Sequence, residues 1–75
     1  MNWTNHISAD AAICHGKACI RGTRVMVSVI LDNLAAGSSI ADIQRDYPSV
    51  SETAIRAAIA YAADLSHERM LAVLA

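Results

Sequence analysis

Residues 27–51 read VSVILDNLAAGSSIADIQRDYPSVS, and the fold turns on how this stretch divides. Val27, Ile30, Leu31, Leu34 and Ala35 recur at i, i+3, i+4, i+7 and i+8, which puts them on one face of an α-helix. Gly37 ends that helix, because glycine accepts the left-handed conformation that follows a helix C-terminus. Ser39 opens the next one. Its hydroxyl can take up a free backbone N–H, and Asp42, three residues on, can answer it in a box-like arrangement. Ile40 and Ile43 face inward on this short segment. It ends by Tyr47, since Pro48 disfavours helical geometry at the residue before it. Ser51 then caps a third helix, with Val50 and Ile55 at the spacing of a hydrophobic staple.

Working outward, Ile55, Ala58, Ile59, Ala62 and Leu65 mark the predicted buried stripe of the third helix. The helical pattern runs on through Met70, Leu71 and Leu74, either unbroken or kinked near Ser66 and His67. On the other side, residues 1–26 hold Gly16, Gly22 and short apolar pieces around Ile7, Ile13 and Cys19-Ile20. These are too short for helices and read as small extended segments joined by turns at the two glycines. The chain is therefore expected to be mainly α. It is a small three- to four-helix bundle of helix-turn-helix type with short N-terminal β-strands. Residues 1–75 form one domain: strands, turns and a basic cluster over 1–26, and the helical bundle over 27–75.

Of the 75 residues, 55% are hydrophobic, yet only Trp3, Tyr47 and Tyr61 are aromatic. So much apolar surface on so short a chain suggests that part of it is buried against a partner, most simply a second copy. The net charge of -1 points to no polyanion, but the distribution is uneven. Residues 1–31 carry Lys17, Arg21 and Arg24 against Asp10, a balance of +2, while residues 32–75 balance at -3. No apolar run approaches the roughly 18 residues of a membrane span. The first residues have neither the basic region nor the apolar stretch of a signal peptide, so a cytoplasmic location and reduced Cys14 and Cys19 are expected.

From Ile7 to Val27, with Cys14-His15-Gly16-Lys17 and Ile20-Arg21-Gly22-Thr23-Arg24-Val25, the chain resembles the bacterial family known as domain of unknown function 433. The likeness continues through Leu31-Asp32-Asn33-Leu34-Ala35-Ala36-Gly37 and Ile43-Gln44-Arg45-Asp46-Tyr47-Pro48. It closes with Ile55-Arg56-Ala57-Ala58-Ile59-Ala60-Tyr61-Ala62. The resemblance implies a homeodomain-like helix-turn-helix fold preceded by short strands, commonly dimeric. It also implies an antitoxin of a toxin–antitoxin pair whose partner is a PIN-like ribonuclease, with operator DNA as a further partner. This sequence departs from the family pattern where proline is frequent, carrying Ala11, Ala18 and Met26 instead.

The candidate binding residues fall in two groups. In the first, Arg21-Gly22-Thr23-Arg24 sets two guanidiniums around a glycine turn, with Lys17 upstream. Guanidinium presents a planar fork of donors to phosphate or carboxylate. It can touch DNA backbone, enter the acidic metal site of a toxin, or pair with Asp46 or Asp32 and hold the front piece to the bundle. In the second group, Thr53 and Arg56 are early exposed positions of the third helix, together with Glu52. They suit base or phosphate contact if this helix reads DNA, and an ordinary solvated face otherwise. Cys14, His15 and Cys19, even with His6, lack the second pair of ligands that structural zinc requires, so no metal is expected. A Cys–His dyad would need an orienting third group and a pocket. No catalytic residue and no cofactor are expected, and the two cysteines read as small buried apolar groups.

Overall fold

The computed structural model describes residues 1–9 and 16–68. A short 3-10 turn, Trp3–Asn5, precedes β1, Ile7–Ser8, and β2, Cys19–Ile20; three helices follow, α1 Val27–Ala35, α2 Ile40–Asp46 and α3 Glu52–Glu68. The protein is mainly helical with one small sheet, as expected. The segment expected around Ile13, the Cys14–His15 pair and the continuation through Met70, Leu71 and Leu74 lie outside the described residues.

Each helix boundary has a local cause. At the end of α1, Gly37 N–H donates to Leu34 carbonyl at 3.0 Å and Ser38 N–H to Asn33 carbonyl at 3.0 Å. This Schellman pair satisfies carbonyls that the helix leaves open, and it needs the left-handed φ of +99° that Gly37 adopts. The capping box of α2 is complete: Asp42 N–H donates to Ser39 Oγ at 3.0 Å and Ser39 N–H to Asp42 Oδ2 at 3.1 Å. The nearby backbone of Ser39, then Arg45, hold the Asp42 carboxyl below its ordinary value of 3.8. Ser51 caps α3 through Ala54 N–H to Ser51 Oγ at 3.1 Å. α3 is continuous through Ser66 and His67 and runs to Glu68.

The two strands pair antiparallel, Ile7 opposite Ile20 and Ser8 opposite Cys19. Their inner residues join the helices in one core. Ile7, Ile20, Val27, Ile30, Ile43, Val50, Ile55 and the alanines 54, 57 and 58 are all buried there. Burying an isoleucine fully stabilises by about 1.5–3 kcal/mol, and Ile30, Ile43 and Ile55 are the largest side chains so enclosed. The expected staple residues Val50 and Ile55 both lie in this cluster.

The stripe on α3 needs correcting. Ala54, Ile55, Ala57 and Ala58 are buried, whereas Ile59 is 44% exposed and Leu65 45%. Successive residues rotate by about 100° around a helix. With Ala58 and Tyr61 turned to the core, Ile59 is carried round to the solvent side. Leu65 shares the core-facing side but lies one turn beyond Tyr61, past the part of α3 that the rest of the described chain covers.

Candidate macromolecule-binding surfaces

The basic front is built on a tight turn. Ile20 N–H donates to Val25 carbonyl at 2.9 Å and Thr23 N–H returns to Ile20 carbonyl at 3.0 Å. Gly22 sits between them at φ +83°, a conformation that side chains resist. The Thr23 hydroxyl donates to Ile20 carbonyl at 2.8 Å and accepts Val25 N–H at 3.0 Å. Thr23 is thereby committed to shaping the turn.

Arg21 is committed as well, though not as the sequence suggested. Its Nη2 donates to the carbonyls of Thr4 at 3.1 Å and Ile7 at 3.0 Å, and its backbone N–H to His6 carbonyl at 2.7 Å. The expected structural partners were Asp46 and Asp32. Backbone carbonyls of the N-terminal segment take that place, because the turn delivers the guanidinium beside the start of β1. Arg21 holds the front piece together. Arg24, on the same turn, and Lys17, before β2, are both exposed. Lys17 stands at a shallow hollow of about 250 Å³ with Ala18, Val27, Ser28, Leu31 and Tyr61.

The second group lies on a different surface. Thr53 and Arg56 are exposed near the start of α3, as expected. The Arg56 guanidinium rests on Glu52, with Nε at 3.1 Å and Nη2 at 3.0 Å from Oε2. Both side chains are solvated, so the pair is worth a few tenths of a kcal/mol, about 0.3–0.5. A hollow of about 300 Å³ opens between Met1, Arg56, Ile59 and Ala60. Of the candidate residues, Lys17 lines one of these hollows and Arg56 the other.

Sequence reasoning missed the clasp between the chain's start and α3. The Trp3 and Tyr61 rings meet edge to face, with centroids 4.9 Å apart and planes at 84°. The Trp3 indole Nε1–H donates to Asp64 Oδ2. Such an aromatic pair is worth about 0.5–1.5 kcal/mol beyond its buried area. The rarity of aromatics in this chain was the available signal: two of its three rings meet here.

The family model described as "Protein of unknown function (DUF433)" matches residues 7–62. The chain belongs to the DUF433 family. It is similar in fold to the crystal structure of a DUF433 member from Anabaena variabilis ATCC 29413, with a TM-score of 0.77 and 25% identity. That match covers 85% of this chain, which spans 63% of the other protein's chain. No curated protein matches significantly.

Within this DUF433 chain, no three His, Cys, Asp or Glu side chains among the described residues group as metal ligands would. Cys19 is buried, its Sγ 3.7 Å from Ser8 Oγ and 3.7 Å from Thr23 carbonyl. Among the described residues no helix is long and apolar enough to cross a membrane. Among the described residues, two open, shallow, mainly apolar hollows each carry a cation at the rim.

Proposed function

We propose that this DUF433 chain is a cytoplasmic antitoxin-type binding module, not an enzyme. In this proposal it works as a homodimer, neutralises a PIN-like ribonuclease toxin and represses its own operon through DNA binding. The observation that carries the proposal is exposed apolar surface at two places on α3: Ile59, with Met1 beside it, on the solvent side, and Leu65 beyond Tyr61 on the core-facing side; these three are the exposed large hydrophobic residues among those described. Exposed apolar groups bordered by a cation suit association between macromolecules. Small-molecule sites usually enclose most of their ligand, and shallow hollows suit that task poorly. Lys17 and Arg24 supply exposed positive charge for an acidic nuclease site or a phosphate, on a turn that Arg21 and Thr23 hold in shape. The test is co-expression with the product of the adjacent gene. A stable complex in which ribonuclease activity is suppressed, and in which Lys17→Glu with Arg24→Glu releases the toxin, is the expected result. Failure to form any complex and to inhibit any neighbouring nuclease would overturn it.

A second function, as a free-standing DNA-binding regulator, is favoured by one arrangement. α2, the turn at residues 47–51 and α3 follow each other as a helix-turn-helix would, with Thr53 and Arg56 exposed on the early turns of α3. Binding of the isolated protein to its own promoter, weakening steeply as salt rises, would support this alternative. Glu52 counts against it, because it already occupies Arg56.

A further inference from the structure

We infer that residues Met1–His6 form a hinged strap that Trp3 latches onto α3. Its release takes Met1 away from the hollow at Ile59 and bares Tyr61 at the hollow beside Lys17. This goes beyond the antitoxin proposal and does not depend on it, because the strap is a property of the chain alone. None of the six residues is buried, whereas Ile7, the next along, is 5% exposed and paired with Ile20. The hinge therefore lies where β1 begins. The strap's shape is set from within: Asn2 Oδ1 accepts Thr4 N–H at 3.2 Å, and His6 N–H donates to Trp3 carbonyl at 2.9 Å. Neither bond involves a helix, so the turn can lift from the body as a unit and keep both.

What holds the strap down is small. The Trp3 and Tyr61 rings meet edge to face, the indole N–H donates to the Asp64 carboxylate, and Arg21 Nη2 reaches the Thr4 carbonyl. Arg21 also grips the Ile7 carbonyl, so it spans the hinge and keeps its hold on the strand side when the strap lifts. A segment with so little buried surface opens at a free energy well below that of the whole domain. Its neighbours on α3 join the latch to both hollows. Met1, two residues before Trp3, stands with Arg56, Ile59 and Ala60 at the first. Tyr61, against which Trp3 rests, stands beside Lys17 and Leu31 at the second. One movement therefore alters both. A group seated against Met1 favours the latched strap, and by linkage the latched strap strengthens the binding of that group by the same factor.

NMR of the full 75-residue chain with labelled methionine and isoleucine methyl groups tests this. Trp3→Ala should move the Met1 methyl resonance to its position in a free peptide of the same six residues. The Ile59 methyls should shift with it, while half-buried Met26 and buried Ile43 hold theirs. Asp64→Ala gives a second measurement that leaves Trp3 in place. Trp3 is the chain's one tryptophan, so its quenching by acrylamide reports the strap alone. Quenching should about double, since losing a bond to a charged group moves such an equilibrium by about tenfold. The Met1 resonance should travel in the same direction as in Trp3→Ala. Both variants should keep the helical circular dichroism of the parent, as neither residue is buried. Met1 and Ile59 unmoved in Trp3→Ala overturns the inference. So does increased quenching in Asp64→Ala with Met1 in place, because the indole then swings alone. Loss of the helical signal together with the latch would overturn it as well, by showing that strap and body come apart as one. The antitoxin proposal fails on a different reading, the absence of any toxin complex.

Discussion

In the helical body, residues 27–68, Ile30, Ile43 and Ile55 are at most 1% exposed, and every helix start after α1 carries a side-chain cap. The front, residues 1–9 and 16–26, contributes Ile7, Cys19 and Ile20 to the interior. Otherwise it depends on individual contacts: the Arg21 fork on Thr4 and Ile7, the Thr23 turn, and Trp3 on Tyr61 and Asp64. The body is held by volume and local capping, the front by polar contacts that a single substitution can remove. The difference teaches that a small domain can present a charged loop on a helical base while adding only a few side chains of that front to the core.

The largest effect should come from the centre of the body. Ile55→Ala removes a fully buried side chain and should cost about 2–5 kcal/mol. Total stability for a domain of this size is on the order of 5 kcal/mol, so the variant should be largely unfolded at room temperature. Urea titration measures this, and a loss below about 1 kcal/mol would break the contrast by showing that the body does not depend on its core.

Next in size is the front's own anchor. Arg21→Ala deletes both charge-assisted bonds to the Thr4 and Ile7 carbonyls and should cost about 1–2 kcal/mol, the low end for such bonds because the group is solvent-exposed. The signature matters more than the size. Amide exchange should quicken in residues 4–8 and Trp3 fluorescence should shift toward solvent, while α1 to α3 keep their protection. Uniform loss of protection over the whole chain would show instead that front and body unfold as one unit.

The same contrast explains what could be read from the sequence. Helix limits were legible because their causes lie within a few residues: Gly37 beside Leu34, Asp42 three residues from Ser39, Ser51 three from Ala54. The front was not. Arg21 meets Thr4 across 17 positions and Trp3 meets Asp64 across 61, and no local pattern announces such pairs. Arg21 stood out as a special residue, but the carbonyls it binds carry no residue type for a charge-pairing rule to find. The misplacement of Ile59 has a different origin. In a run as alanine-rich as residues 54–63, hydropathy favours the isoleucine, whereas close packing buries the small residues, so Ala57 and Ala58 went inward and Ile59 outward.

Within the body, the α2 box sets a scale for local capping. Ser39→Ala should cost about 1 kcal/mol in thermal or urea unfolding, and much less would mean that α2 is held by Ile43 alone. Acid should weaken the same box. The Asp42 carboxyl titrates lower in the folded chain than in the unfolded one, chiefly because Ser39 N–H and then Arg45 donate to it. Its contribution is therefore complete above the unfolded value of 3.8 and fades as pH falls through the lower folded value. Melting curves of the parent and Asp42→Asn should be furthest apart near neutral pH and converge in acid; a constant gap would remove the charge from the account.

The smallest expected effect is a gain, and it falls on the seam between front and body. Met26 precedes α1 with φ -70° and ψ 143°, and no side chain caps the helix there. That φ is the one a proline ring imposes. Met26 also forms an isolated antiparallel bridge with Cys19, made by Ile20 N–H to Val25 carbonyl and Val27 N–H to Ala18 carbonyl. In that register the Met26 N–H is not part of the bridge, so a proline there costs no bridge hydrogen bond. Met26→Pro should therefore stabilise by about 0.4–1 kcal/mol, chiefly by narrowing the unfolded ensemble, and raise the melting temperature by a few degrees. A loss of stability instead would mean that the half-buried methionine side chain, not the backbone angle, joins the front to α1.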